Sequence, residues 1–121
     1  MIDRSKEQAQ ILRPLLSLIS KSEKARLKLA PGTWQHRMLD QNLKALHLAV
    51  QFMQQDAEQP QPVTQADLLE ALDALEGMIS RSEKAHAEFA PGTSQHTLLK
   101  NRIRSLCAAA EKIREQIQKK E

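Results

Sequence analysis

Aromatic residues, cysteine and long apolar runs are scarce in this chain of 121 residues. It has one Trp, two Phe and no Tyr, which argues against β-sandwiches, barrels and nucleic-acid modules that stack bases on aromatic rings. A single cysteine, Cys107, excludes an intrachain disulfide and an all-cysteine metal site. Uncharged apolar stretches are short, and a typical one spans residues 15–20. It is too short for a transmembrane span or a secretory signal, so we expect a cytoplasmic protein without membrane contact.

The composition is that of one folded domain. Hydrophobic residues make up 40% of the chain and charged residues 27%, which is enough apolar surface to form a core. A chain of this length removes roughly two thirds of its extended surface from water. We therefore expect a single helical domain over residues 1–121.

An internal repeat with an offset of sixty residues organises the chain. Residues 19–36 and 79–96 are identical at 12 of 18 positions. The flanking segments match at only 2 of 18 positions before this window and 3 of 24 after it. This pattern indicates a tandem duplication in which a physical constraint holds the middle of each copy.

The two copies are separated by a polar, proline-containing connector. The sequence predicts a first repeat over about residues 4–58, a linker at 59–63 and a second repeat over about 64–119. Thr64 is placed to cap the helix that follows, with Asp67 in its first turn.

Apolar residues recur at helical spacing within each copy. The pattern predicts helices near residues 5–29, 34–56, 65–89 and 94–119. Stripes that advance by threes and fours over several turns are typical of near-parallel helices around a shared seam. The predicted fold is all-α, an up-down-up-down four-helix bundle formed by tandem duplication of a helical hairpin.

Each hairpin has the same predicted turn, Ala-Pro-Gly-Thr, at residues 30–33 and 90–93. Proline cannot continue a helix, and glycine adopts left-handed dihedrals freely. The threonines, Thr33 and Thr93, are predicted N-caps of the following helices. Pro14 lies inside the first helix, where it removes one backbone bond, and we expect it to kink or split that helix.

The duplicated turns are the place where function is most expected. In such a bundle both turns lie at one end, so the repeated polar residues gather there. The candidate ligand-binding residues are His36, His96, Ser22, Ser82, Glu23, Glu83, Lys24, Lys84, Gln35, Gln95 and Trp34. One interpretation is a shared polar pocket for an anion, a metal or a peptide, with anions favoured at helix N-termini. The other is structural: each histidine bonds a nearby group and locks its own turn.

Metal and catalytic signatures are weak. Only residues 83–86 have the Glu-x-x-His spacing of carboxylate-bridged metal bundles, and the first copy has Arg26 where the second has His86. No orienting group or oxyanion hole accompanies the Ser and His residues. We assign no catalytic residue, no metal ligand and no cofactor. His47 and His86 are interpreted as flank residues without a special role.

The predicted third and fourth helices carry opposite charge. Residues 65–89 have six acids and two bases, and residues 94–120 have seven bases and two acids. Opposite charge favours packing of these helices side by side. An alternative is weak nucleic-acid association through the basic fourth helix, although no sequence-specific binding motif is present.

The leading functional hypothesis is a non-enzymatic interaction module that binds a protein partner or self-associates. A small metal-binding or anion-binding protein or enzyme that uses His36 and His96 with Glu23 and Glu83 is the alternative. Trp34 is expected to pack half-buried against Leu27 or Leu29, or else to mark the rim of a partner site. Exposed Leu48 and Phe52 are candidate contacts for self-association.

Overall fold

The computed structural model describes residues 4–54 and 63–120, and within these ranges the regular structure is entirely α-helical. The helices are α1 Arg4–Leu27, α2 Trp34–Met53, α3 Gln65–His86 and α4 Ser94–Lys119. The all-α class and the number of helices predicted from the apolar periodicity are therefore confirmed.

The four helices share one hydrophobic core. Each helix packs against its neighbours in the cyclic order α1, α2, α3, α4, and α3 and α4 make the most extensive contact. The largest fully buried apolar side chains come from every helix: Leu15, Leu46, Leu68, Leu75, Leu106 and Ile113. Each contributes about 1.5–3 kcal/mol relative to an exposed side chain.

Helices α2 and α4 also contact each other directly across the core, whereas α1 and α3 make no such contact in the described part of the chain. Small residues explain this closeness. Ala45 and Ala49 on α2 and Ser105 and Ala109 on α4 are almost completely buried. Ala45 and Ser105 are sixty positions apart, as are Ala49 and Ala109. Their small side chains let the two backbones approach.

Helices α1 and α3 end before the predicted limits of residues 29 and 89. The next residues continue as a tighter turn: Lys28 N–H donates to the Ala25 carbonyl and Leu29 N–H to the Arg26 carbonyl. The same bonds occur in the second copy. A residue before proline disfavours the helical conformation, so the helix tightens and stops ahead of Pro31 and Pro91.

The two Ala-Pro-Gly-Thr turns have the same geometry. Thr33 N–H donates to the Ala30 carbonyl at 3.3 Å, and Thr93 N–H donates to Ala90 at the same distance. Gly32 and Gly92 both have a φ of 90°. Proline followed by glycine with positive φ, closed by this bond, is a type II turn. The prediction that proline and glycine end each helix is confirmed.

Pro14 does not split α1, which is continuous from Arg4 to Leu27. Leu15, directly after Pro14, and Ile19, one helical turn beyond it, are buried in the core. Their burial offsets the one backbone bond that proline removes. The expectation that Pro14 splits the helix is therefore wrong, and the other expected effect, a kink, stays a prediction.

Two predictions about exposed apolar residues need correction. Leu48 and Phe52 are not exposed; they are partly buried against the core. Trp34, expected to pack half-buried against Leu27 or Leu29, is 61% exposed, and Leu27 is 84% exposed. At the start of α3, the predicted cap is confirmed, because Thr64 and Asp67 form a reciprocal capping box.

Among the described helices, none has the length and apolar character needed to cross a bilayer. Residue 56, the predicted end of the second helix, lies outside the described residues. The predicted linker at 59–63 also lies outside them, except for residue 63.

Candidate functional site

In each Ala-Pro-Gly-Thr turn, the threonine hydroxyl both donates and accepts a hydrogen bond. Thr33 Oγ1 donates to the Ala30 carbonyl at 2.9 Å and accepts from the His36 backbone N–H at 3.3 Å. In the second copy, Thr93 makes the equivalent bonds at 2.8 and 3.2 Å. One hydroxyl thus closes the turn and caps the next helix. The predicted N-caps are confirmed.

In the first hairpin, an arginine and a histidine converge on one carboxylate. Arg26 donates through Nη1 to Asp40 Oδ1 at 2.6 Å. The Nδ1 atom of His36 lies 3.7 Å from the other oxygen, Oδ2. The bond from Arg26, with the charges of His36, Arg26 and Lys44, lowers the pKa of Asp40 against the opposing effect of burial. The cluster links the end of α1 to the beginning of α2.

In the second hairpin, two histidines occupy the corresponding place. The imidazole centroids of His86 and His96 are 4.0 Å apart, with the rings tilted by 35°. Within the described part of the chain, His86 Nε2 is buried and has no hydrogen-bond partner. Burial lowers the pKa of His96, and the charges of His86 and Lys100 lower it further. The arrangement favours a neutral His96 ring, because burial and, to a lesser extent, neighbouring positive charge oppose its protonation.

The structure does not bring His36 and His96 into one group. Among the described residues, no hydrogen bond, ion pair or ring contact joins them. Each belongs to its own hairpin, where it meets Asp40 or His86. A direct contact between them is therefore not observed there, and a shared pocket with a binding role stays a prediction.

A cleft of about 270 Å³ does draw on both copies. It is lined by the C-terminal halves of α1 and α3 and the N-terminal halves of α2 and α4, and we call it the four-helix cleft. Its walls are Leu18, Ser22, Met38, Leu39, Asn42, Met78, Arg81, Ser82, Ala85, Leu99, Arg102 and Leu106. Four pairs of these residues are sixty positions apart: 18 and 78, 22 and 82, 39 and 99, and 42 and 102.

The polar side chains of the four-helix cleft include no acidic group. Ser82 is 8% exposed and Asn42 is 7% exposed. Arg102, at the position equivalent to Asn42, is partly buried, and burial lowers the pKa of its guanidinium. None of the ion pairs within residues 4–54 and 63–120 involves Arg102.

The other predicted site residues are spread over the surface. Glu23 lies by His47, with Oε1 3.6 Å from Nε2. Glu83 and Lys84 line a separate groove between α3 and α4 of about 510 Å³, which also contains Cys107. Lys24, Gln35 and Gln95 are exposed. The residues of the alternative metal or enzyme site, His36, His96, Glu23 and Glu83, thus lie in different surroundings.

Two further observations bear on metal binding and charge. In the described ranges, no group of three or more His, Cys, Asp or Glu residues is placed to hold a metal ion.

Between the acidic α3 and the basic α4, Glu76 and Arg114 approach to 3.9 Å. The remaining ion pairs of Lys112 and Arg114 lie within α4.

Exposed apolar side chains concentrate near the two turns. Of the six large hydrophobic residues exposed in the described ranges, four belong to residues 27–34 and 89–98: Leu27, Trp34, Phe89 and Leu98. We call these four residues the turn rim. Each hairpin contributes two of them, at positions that are not equivalent between the copies.

Sequence reasoning missed several residues that the packing brings together. Arg26 and Asp40 exchange for His86 and Lys100 in the second copy, and Asn42 exchanges for Arg102. When two positions change charge together between the copies of a repeat, this pattern can indicate that the two side chains are in contact. The amphipathic pattern marked His86 only as a flank residue, because periodicity does not identify contacts across helices.

Comparison with protein-family models finds no matching family, and comparisons with curated proteins and solved structures find no significant match.

Proposed function

We propose that the chain is an up-down-up-down bundle formed from a duplicated helical hairpin, and that it is a non-enzymatic binding module. Hydrogen bonds at the helix ends support antiparallel hairpins. The Gln8 side chain near the start of α1 donates to the Met53 carbonyl at the end of α2. Gln65 at the start of α3 reaches the Ile117 carbonyl near the end of α4 at 3.5 Å.

The four-helix cleft supports placing both turns at one end. Its lining combines Ser22 and Ser82, close to the ends of α1 and α3, with Leu39 and Leu99, close to the beginnings of α2 and α4. Residues on either side of both turns therefore surround the same space. The retained segment of each copy, residues 19–36 and 79–96, falls in this part of the fold.

The observation that carries the functional proposal is the turn rim. Trp34 is 61% exposed and Leu98 is 50% exposed. Contact of their apolar surfaces with water is unfavourable, and packing within the fold does not remove it. Exposed large apolar side chains that cluster on a surface mark interaction sites, and tryptophan is enriched among binding anchors. The module binds a protein partner, or a second copy of itself, through the turn rim.

Site-directed photo-cross-linking tests this function. A photoreactive phenylalanine analogue at position 34 is irradiated in an extract of the cells that make the protein. The expected product is an adduct of one defined mass. Unlabelled chain should compete it away, whereas the Trp34→Ser variant, which carries the residue of the second copy, should compete poorly.

A matched control uses the same analogue at position 115, where the native Glu115 is exposed on the last part of α4. Equal labelling from positions 34 and 115, or equal competition by wild type and Trp34→Ser, contradicts binding at the turn rim. An adduct with twice the mass of the chain identifies self-association as the form of binding.

A further inference from the structure

We propose that the four-helix cleft binds a small monocarboxylate with an apolar body, with Arg102 as the carboxylate-binding residue. This site differs from the turn rim and does not depend on partner docking there. It takes a free small molecule, such as a short acyl or aryl carboxylate, between the two copies of the hairpin.

The charge of the cleft is the first argument. Arg102 is partly withdrawn from water on the wall of the cleft, and in the described residues it has no carboxylate partner. Burial also lowers its pKa, which reflects the cost of a desolvated cation. A cation in this state gains most from a bound anion, and the guanidinium fork matches a carboxylate with two parallel hydrogen bonds.

The uncharged polar groups add donors without competing charge. Asn42 faces the cleft from the equivalent position of the first copy, and Ser22 and Ser82 form a second equivalent pair. An amide and two hydroxyls all donate hydrogen bonds. Arg81 also lines the cleft, but it is exposed, with its guanidinium close to Gly77 on its own helix. The lining therefore suits an anion and not a metal ion.

The rest of the lining is apolar, which selects the body of the ligand. It consists of Leu18, Met38, Leu39, Met78, Ala85, Leu99 and Leu106. A multiply charged phosphate would lose its hydration against this surface without compensation. A volume of about 270 Å³ lies just below the range of roughly 300–1,000 Å³ for drug-sized ligands. One ring or a short acyl chain beside a single carboxylate fits this description.

Benzoate is the probe, with benzamide as its neutral counterpart of similar shape. In ¹H–¹⁵N spectra of the full chain, benzoate should shift the amides around residues 22, 42, 82 and 102 in a saturable manner. Benzamide and inorganic phosphate should not. Shifts that are absent, scattered over the surface or equal for benzamide overturn the proposal, as does equal binding of phosphate.

Arg102→Asn, which installs the residue of the first copy, should weaken benzoate binding by about tenfold or more, as expected for lost charge-assisted hydrogen bonds. Arg104→Asn is the matched control, because it removes the same charge from an exposed position of α4. It should leave affinity unchanged, as should Trp34→Ser on the turn rim. Equal affinities of the Arg102→Asn and Arg104→Asn variants overturn the proposal.

If Arg102→Asn does not fold, Arg102→Lys keeps the charge but loses the planar fork. It should bind benzoate several-fold more weakly than wild type. Unchanged affinity rejects the role of the guanidinium. A hexapeptide with a free C-terminus, compared with its amidated form, addresses the other source of a carboxylate. Binding of this peptide without binding of benzoate overturns the small-ligand proposal and assigns the cleft to chain termini.

Discussion

Arg26 donates a 2.6 Å hydrogen bond to Asp40 across the first hairpin, whereas the same two positions of the second hairpin hold His86 and Lys100. The two hairpins therefore share a turn but differ in the electrostatics beside it. At the equivalent positions, the first hairpin has a carboxylate beside cationic side chains, whereas the second has two imidazoles and a lysine.

Asp40→Lys should lower the melting temperature more than Asp40→Asn does. The neutral variant removes the negative charge that faces Arg26, and the charged variant adds repulsion among Arg26, Lys44 and the new lysine. Because these groups are only partly buried, the difference between the variants should shrink in 1 M NaCl, where the Debye length is about 3 Å. Thermal unfolding at low and high salt measures it, and a difference that is insensitive to salt contradicts the electrostatic explanation.

Stability should fall as the pH drops from 7.5 to 5, because of the second hairpin. The folded-state pKa of His96 is lowered by burial and by its positive neighbours. Below the ordinary histidine pKa of about 6.5, the unfolded chain therefore binds more protons than the folded chain, so the free energy of unfolding decreases as pH falls.

The His96→Gln variant should show a smaller change of melting temperature across this pH range. His47→Gln, which alters an exposed histidine of α2, is the control and should retain the wild-type change. Identical pH profiles for His96→Gln and wild type are incompatible with this role of His96.

Gly32→Ala and Gly92→Ala should each destabilise the fold by about 1–2 kcal/mol, the cost of a left-handed conformation for an L-residue. Both glycines have a φ of 90° and no atom within 4 Å of an added Cβ, so the penalty is conformational and not steric. The similar geometry of the turns predicts similar penalties, which chemical denaturation measures.

Gly77→Ala provides the opposite sign as a control. Gly77 lies inside α3, where alanine is favoured over glycine by about 0.5–1 kcal/mol. The nearest atom to an added Cβ is Nη1 of the flexible Arg81 side chain at 3.3 Å, which can move aside. Stabilisation by Gly32→Ala would show that the turn does not require positive φ.

Thr33→Val should cost about 1 kcal/mol or somewhat more, in the range of N-cap removals. Valine keeps the shape of threonine but loses the hydroxyl that donates to Ala30 and accepts from His36 N–H. Thr33→Ser retains that hydroxyl and should recover most of the loss. Denaturant titrations of both variants and of the Thr93 pair measure the effect, and equal losses for valine and serine argue against the hydroxyl's role.

The turns and caps were predictable because they depend on neighbours along the chain. Proline, glycine and threonine act within three or four residues, so Thr33, Thr64 and Thr93 could be identified as caps before any packing was known. The predicted ends of α1 and α3 were too long, by residues 28–29 and 87–89. The apolar Leu29 continues the stripe, but the proline two residues later tightens the chain first.

The candidate site was predictable only in part. Ser22 and Ser82 do face a space shared by both copies, but His36 and His96 turn to partners within their own hairpins. Asn42 and Arg102 complete the cleft instead. An apolar stripe defines an average helix face, and a rotation of a few tens of degrees decides which polar neighbour of that stripe points inward.

The amino-acid sequence by itself determined the all-α class, the helices and the positions of the two Ala-Pro-Gly-Thr turns, since periodicity, capping and turn chemistry are local properties. Only the tertiary structure decided that Arg26 meets Asp40, that His86 meets His96, and that Arg102 lines the cleft. These contacts depend on how whole helices rotate and approach one another. The shared core and the small residues between α2 and α4 determine that arrangement.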